Sequence, residues 1–235
     1  MLKKIMNGAL AKLGYRLAKK DGAGGFNLYN PDYLSKMCTP KTVIDVGVGY
    51  GTHSLYEAFP AAHFVLVEPV EEYRNAIAKI LAKYEGTVHY KAAGQENKII
   101  ELDVDLDALQ LSSHFERSEL TMRDHRIEKR MIEMTTLDDL LGPPAALERP
   151  LVLKIDTEGN ELNVLKGASQ LLESTDFVIA EASIAKRFEN CYEFDELMTF
   201  MAEKGFRLFS ILAIGHSAKE IRPRFADVVF AKCTD

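Results

Sequence analysis

The run Thr42-Val-Ile-Asp-Val46 is short, apolar and β-branched, and it ends directly on Gly47-Val-Gly-Tyr-Gly51. A run of that kind predicts a strand. Glycines placed immediately after it predict a tight turn that feeds a helix. Residues 52–59 suit that helix, which stops before Pro60. The same alternation continues along the chain. Strands are predicted at residues 64–68, 87–92, 151–155 and 177–181. Helices are predicted at 71–84, 160–172 and 192–204, the last closed by Gly205 as a C-cap. Strands that alternate with helices imply a parallel sheet with helices on both faces, and near-continuous apolar strands fit burial on both sides. The last two predicted strands, 206–212 and 227–232, have no helix between them. They must form an antiparallel hairpin or straddle each other through the 214–225 loop. The expectation is an α/β, Rossmann-like, doubly wound sheet of seven strands.

Two segments break the rhythm. Residues 2–17 carry Leu2, Ile5, Met6, Ala9, Leu10, Leu13 and Leu17 at spacings of three and four, the pattern of an amphipathic helix. Asp21-Gly-Ala-Gly-Gly25 ends it as a linker. Residues 98–136 hold two extra strand-like runs, 98–105 and 131–136, around a polar stretch. An insertion there lies at the carboxyl end of the sheet, where open α/β folds bind ligands, and it reads as a substrate lid. The expected division is an N-terminal helical extension (1–38) and one catalytic domain (39–235) with its lid at about 98–136. A length of 235 residues suits one large domain better than two.

Charge sharpens this division. The whole chain carries −6, but residues 1–20 hold six basic side chains and no acid, which leaves −12 on the remainder. An acidic body excludes a partner bound through a broad basic surface, nucleic acid above all. The basic helix is expected to pack on the domain or form a homodimer, with peripheral contact to an anionic membrane as the other reading. No apolar stretch is long enough to span a bilayer. Cys38, Cys191 and Cys233 are far apart and form no CxxC pair. Reduced thiols in a cytoplasm are therefore expected.

The chemistry starts at the glycine turn. Gly47 and Gly49 let the backbone approach a ligand without a Cβ clash, and the helix start turns N–H groups toward it. The spacing is G-x-G-x-G, because Thr52 stands where a dinucleotide binder has glycine. Glu68 ends the second strand 19 residues beyond Gly49, where a carboxylate can accept ribose hydroxyls. Together they describe a pocket for an adenosine-type cofactor, against the plainer reading of a glycine turn with a capping acid.

At these residues the chain resembles a known family. Val43-Ile-Asp-Val-Gly-Val-Gly-Tyr-Gly51 is similar to motif I of S-adenosylmethionine-dependent methyltransferases, and Val67-Glu68-Pro69 to their second motif. Thr136-Leu-Asp-Asp-Leu140, Leu153-Lys-Ile-Asp-Thr-Glu-Gly159 with Glu161, Val164-Leu-Lys-Gly-Ala168 and Phe177-Val-Ile-Ala-Glu181 resemble the FkbM family more specifically. Ser112-Ser113 resembles a serine pair in that family's insertion. The resemblance spans about residues 40–185. Val48 departs from the family's usual DVGANxG, and His53 follows. The resemblance implies S-adenosylmethionine as cofactor and methyl transfer to a hydroxyl of a sugar, glycan or related metabolite. The residues expected at the cofactor are Asp45, Gly47, Gly49, Gly51, Glu68, Ala93 and Asp156.

Methyl transfer from a sulfonium is an in-line displacement, so nucleophile and methyl must be held in near contact. A hydroxyl nucleophile also benefits from a base within hydrogen-bond reach. Asp156 follows strand 151–155 directly and can face the methyl, with Glu158 on the same turn. His114, in the lid, is the rival base. Ser112, Ser113 and Glu181 are the expected substrate contacts. Asp156, Glu158 and Glu181 also suit a divalent ion; a metal-free site is expected. Charge compensation at a helix start is the alternative for Glu158 and Glu161. His53 is expected to pack near the glycine loop, and Asp138 to anchor a strand–loop junction. His63, His89, His125 and His216 are expected on the surface, and the alternating acids of 101–107 on a solvated strand face. Residues 117–130 read as a solvated helix face, or as a phosphate grip through Arg123, Arg126 or Arg130. Two readings compete with an O-methyltransferase: a nicotinamide-dependent oxidoreductase, and a non-catalytic methyltransferase-like binding subunit.

Overall fold

The computed structural model describes residues 27–119, 124–215 and 221–233. The predicted helix 2–17, its linker, Arg123 and His216 lie outside them. Five parallel strands form most of the main sheet: β1 (Thr42–Val46), β2 (His63–Val67), β3 (Gly86–His89), β7 (Leu151–Ile155) and β8 (Phe177–Ser183). Two antiparallel ones, β9 (Phe206–Gly215) and β10 (Phe225–Lys232), complete it. The order is β3-β2-β1-β7-β8-β10-β9. The expected seven-stranded, doubly wound sheet is therefore present. The last two strands do form an antiparallel pair, with β10 lying inside β9.

The strands are buried on both faces because both faces are covered. Ile44 and Val46 of β1 pack with Leu153 and Ile155 of β7, and with Leu162 and Leu165 of helix α5 (Glu161–Lys166). Val43 packs the other way, with Phe64, Val152, Leu55 of helix α2 (His53–Ala58) and Ile77 of helix α3 (Arg74–Leu81). Alternate side chains of each strand thus enter opposite layers of core.

Topology then places the ligand site. From β1 the chain moves outward to β2 and β3, then returns to add β7 and β8 on the other side of β1. The crevice of such a sheet opens where the order reverses, between the carboxyl ends of β1 and β7. Gly47 follows β1 there, and Asp156 follows β7.

Other elements depart from the sequence reading. The predicted third strand is split. Gly86–His89 edges the main sheet, whereas β4 (Ala92–Ala93) joins a second sheet, β4-β6-β5, with β5 (Lys98–Asp105) and β6 (Ile127–Thr135). The expected helix at 117–130 is corrected, since residues 127–130 begin β6. Residues 160–172 form part of two short helices, Glu161–Lys166 and Leu171–Ser174, rather than one. Asp138 accepts from the N–H groups of Gln170 and Leu171 at 2.9 Å each, so it fixes the start of that second helix. Residues 27–38 pack on the domain: Leu28 N–H donates to the Leu212 carbonyl, and Leu34 is fully buried. Among the described residues no helix is long and apolar enough to cross a membrane.

Candidate active site

A cavity of about 420 Å³ opens at the β1–β7 crevice. The glycine loop, Glu68, Tyr73, Asp156, Glu158 and Glu181 line it. Ile100 and Leu102 of β5 and the segment Leu109–His114 cover it. The insertion after β3 therefore lies over the crevice.

The loop needs glycine. Gly47 has φ +77°, and a Cβ there would stand 1.8 Å from the Asp156 carbonyl oxygen. The loop and the turn after β7 are in backbone contact, which fixes both. Gly49 N–H donates to Glu68 Oε2 at 2.9 Å, and Val70 N–H to Oε1 at 2.8 Å. A carboxylate has about four lone-pair sites, so Glu68 keeps acceptor capacity toward the cavity. Burial pushes its pKa up to about 7, against the two backbone N–H bonds. Ala93 lines the same cavity, and its carbonyl accepts from Asn160 Nδ2 at 2.9 Å.

Asp45 is not a cavity residue, which corrects its assignment to the cofactor. It is completely buried beneath the loop. It lies in register with Lys154 on β7, whose Nζ sits 2.9 Å from Asp45 Oδ1 and donates to the Gly47 carbonyl at 2.8 Å. The Tyr56 hydroxyl donates to the other Asp45 oxygen. Burial lowers the pKa of Lys154, but Asp45 and Asp156 outweigh it and push it up to about 12. The ammonium therefore stays charged and ties β1, β7 and the glycine loop together. Sequence reasoning missed Lys154, although its signal was present: one basic residue in an apolar strand, matched by one acid in the neighbouring strand.

The carboxylates converge. One oxygen each from Asp156, Glu158 and Glu181 falls within a 4.8 Å cluster. This is a donor set that suits a hard cation as well as proton transfer. Asp156 lines the cavity with its side chain 40% exposed, and Lys154 Nζ is 3.8 Å away. Glu158 has φ 50°, in the left-handed region. Buried Glu161 holds this turn by accepting from Thr157 N–H (2.9 Å) and Gly159 N–H (3.2 Å), and from the Tyr192 hydroxyl (3.0 Å). Arg187 bridges Glu158 (3.3 Å) and Glu181 (2.6 Å). It too was missed, and its loop carries no pattern that could have shown it. Burial pushes the Glu158 pKa up to about 7, with Asp156 adding to the rise against Arg187. Burial and Asp156 also raise Glu181 well above the ordinary range.

The lid residues divide. His114 faces the cavity and stacks on Phe115, and burial followed by the charge of Lys98 lowers its pKa to about 4. Its ring is neutral at pH 7 but a weak base. Ser112 Oγ donates to the Leu109 carbonyl, and Ser113 Oγ donates to the Glu158 carbonyl at 2.8 Å. Each serine has one hydroxyl proton, so both protons are committed to backbone. Ser113 thereby fastens the insertion to the β7 turn. Two surface assignments are corrected. Asp105 is 1% exposed, where a solvated strand face was expected. It accepts from Ala108 N–H and pairs with His125 Nδ1 at 2.8 Å, so His125 is a structural partner. The phosphate grip is not assembled either. Arg130 forks onto Glu72, and Arg126 onto Asp107. His53 packs edge-on against Tyr56.

A family model for the methyltransferase FkbM domain matches residues 45–208, more than half of the chain. The chain belongs to the FkbM methyltransferase family. The match takes in the glycine loop, Glu68, the lid and the carboxylates of this FkbM domain. It leaves the nicotinamide reading without support. The hexuronic acid methyltransferase AglP of Haloferax volcanii is 31% identical over 140 residues, covering 58% of this chain and 54% of that protein. The chain thus spans about half the length of the curated relative it matches. Among solved structures, TehB of Haemophilus influenzae aligns with TM-score 0.46 and 12% identity, over 95% of this chain and 65% of that one. The ribosomal protein L11 methylase of Lactobacillus delbrueckii subsp. bulgaricus aligns with TM-score 0.45 and 14% identity, over 87% and 79%. The FkbM family implies S-adenosylmethionine as methyl donor. The cavity fits it: the glycine loop lines it, and so does Glu68, a buried carboxylate fixed by two backbone N–H groups and with acceptor sites to spare.

Proposed function

We propose that this FkbM protein is an O-methyltransferase that methylates a hydroxyl of a sugar or related metabolite. The observation that carries the reading is the carboxylate cluster at the end of β7, in the same cavity as the glycine loop and Glu68. The AglP relative, which acts on a hexuronic acid by its name, supports a sugar as the acceptor class.

In the bound state S-adenosylmethionine would supply a methyl already activated by positive sulfur. Glu68, the glycine loop and Ala93 are the residues that would hold it. The chain's own task is then orientation and one proton. Asp156, open to the cavity, accepts a hydrogen bond from the acceptor hydroxyl and orients it. Glu158, with a pKa near the working pH, takes the proton, since a base is most effective when its pKa lies close to that pH. Arg187 holds Glu158 in place, and Ser113 anchors the lid to the same turn. Glu181 completes the carboxylate cluster beside them.

The test is calorimetric titration with S-adenosylhomocysteine, followed by turnover on a panel of free and nucleotide-linked sugars. Saturable binding is expected. Asp156→Asn is expected to keep that binding and lose about 10²-fold in turnover, the scale of a misoriented nucleophile. No binding by the wild-type chain, or turnover unchanged in Asp156→Asn, overturns the reading.

A further inference from the structure

Tyr73 buries a hydroxyl that no described group satisfies. The residue is 2% exposed, and its Oη has no hydrogen-bond partner among the described residues. Buried polar groups in native proteins are almost always paired, so an orphan on a cavity wall calls for a partner from inside the cavity. Tyr29 also has an unpartnered hydroxyl, but Tyr29 does not line the cavity, whereas Tyr73 does.

The Tyr73 ring is fixed from two sides. It closes the short turn Glu71–Tyr73 before helix α3. Tyr50 of the glycine loop meets it edge to face, with centroids 4.9 Å apart and planes at 87°. Its hydroxyl lies 4.0 Å from where a Cβ of Gly49 would be, and Gly49 is the residue whose N–H donates to Glu68. Phenol and carboxylate therefore border the same space beside the loop.

Their chemistry is complementary. An ionised carboxylate only accepts, whereas a phenol also donates. A ribose diol offers both roles: its O–H groups donate to Glu68, and a ribose oxygen accepts from Tyr73. We propose that the Tyr73 hydroxyl is a cofactor-binding group that donates to the ribose of an adenosine-type cofactor, beside Glu68. This rests on the methyl-donor reading above.

The test uses the full chain and its Tyr73→Phe variant. Each is titrated with S-adenosylhomocysteine and with 5′-methylthioadenosine, which keeps the nucleoside and lacks the amino-acid end. Each is also unfolded in denaturant without ligand. Tyr73→Phe is expected to weaken both ligands by about tenfold, the scale of one lost hydrogen bond. The unliganded variant is expected to unfold at the same or higher denaturant, because the hydroxyl it loses had no partner in the protein. Unchanged affinities overturn the proposal. So does a loss confined to S-adenosylhomocysteine, which would move the contact to the amino-acid end. A destabilised unliganded variant overturns it too, by showing that the hydroxyl had a partner in the protein. If the wild-type chain binds neither ligand, the methyl-donor reading fails first and this proposal fails with it.

Discussion

Lys154→Met tests whether the strand-tip ion pair holds the site together. In the wild type the ammonium lies 2.9 Å from Asp45 Oδ1 and donates to the Gly47 carbonyl at 2.8 Å, and its side chain is 5% exposed. Methionine matches its length and removes its charge. Asp45, with no exposed surface, then keeps the Tyr56 hydroxyl as its side-chain donor. Removing one partner of a buried pair costs about 3–5 kcal/mol, since it leaves a charge uncompensated. For a chain of this size that corresponds to a fall in melting temperature of about 10 °C. The Gly47 carbonyl loses its donor too, so the glycine loop loosens and S-adenosylhomocysteine binds less tightly. The assay is denaturant unfolding of wild type, Lys154→Met, Asp45→Asn and the double variant. Asp45→Asn in the Lys154→Met background removes the stranded charge while retaining an acceptor for Tyr56. The double variant is therefore expected to be more stable than Lys154→Met alone, with a coupling energy of about 2 kcal/mol between contacting sites. If Lys154→Met is as stable as wild type, or the two losses simply add, the pair does not hold the strand tips and this account of the loop is wrong.

Two further outcomes are expected. Glu158 must be ionised to accept a proton, and burial pushes its pKa up to about 7. Turnover should thus fall about tenfold per pH unit below 7 and level off above it; Glu158→Gln should lower turnover by about 10²–10⁴-fold and abolish that limb, and a wild-type profile flat from pH 5 to 8 would assign the proton elsewhere. Gly47→Ala adds a Cβ 1.8 Å from the Asp156 carbonyl oxygen at φ +77°; left-handed strain of about 1–2 kcal/mol with about 1–3 kcal/mol of overpacking should destabilise the chain and weaken S-adenosylhomocysteine at least tenfold, and calorimetry showing wild-type affinity would remove the close approach as a requirement.

What could be read from the sequence divides along a physical line. Local signals carried the sheet. The apolar runs at 42–46 and 151–155, with glycines or acids directly after them, predict strands whose carboxyl ends meet, and Gly47 and Asp156 do meet there. Glu68 was legible for the same reason, because its spacing from the loop follows from one strand–helix–strand unit. The errors fall where a residue's role depends on a partner distant in sequence. Asp45 is assigned to the cofactor by its place in the motif I resemblance. Its actual partner is Lys154, 109 positions later and directly opposite it in register. Asp105 looked solvated because its neighbours alternate, yet the 105–108 turn and His125 close over it. Ser112 and Ser113 line the cavity, but each gives its one hydroxyl proton to a backbone carbonyl, so toward a ligand each can only accept. At Asp45 and Asp105 a polar group inside the fold was claimed by the protein before any ligand could claim it. That makes the unclaimed groups the informative ones: the open face of Asp156, the spare lone pairs of Glu68 and the hydroxyl of Tyr73. They face one cavity, and none of them could be separated from its claimed neighbours by residue type alone.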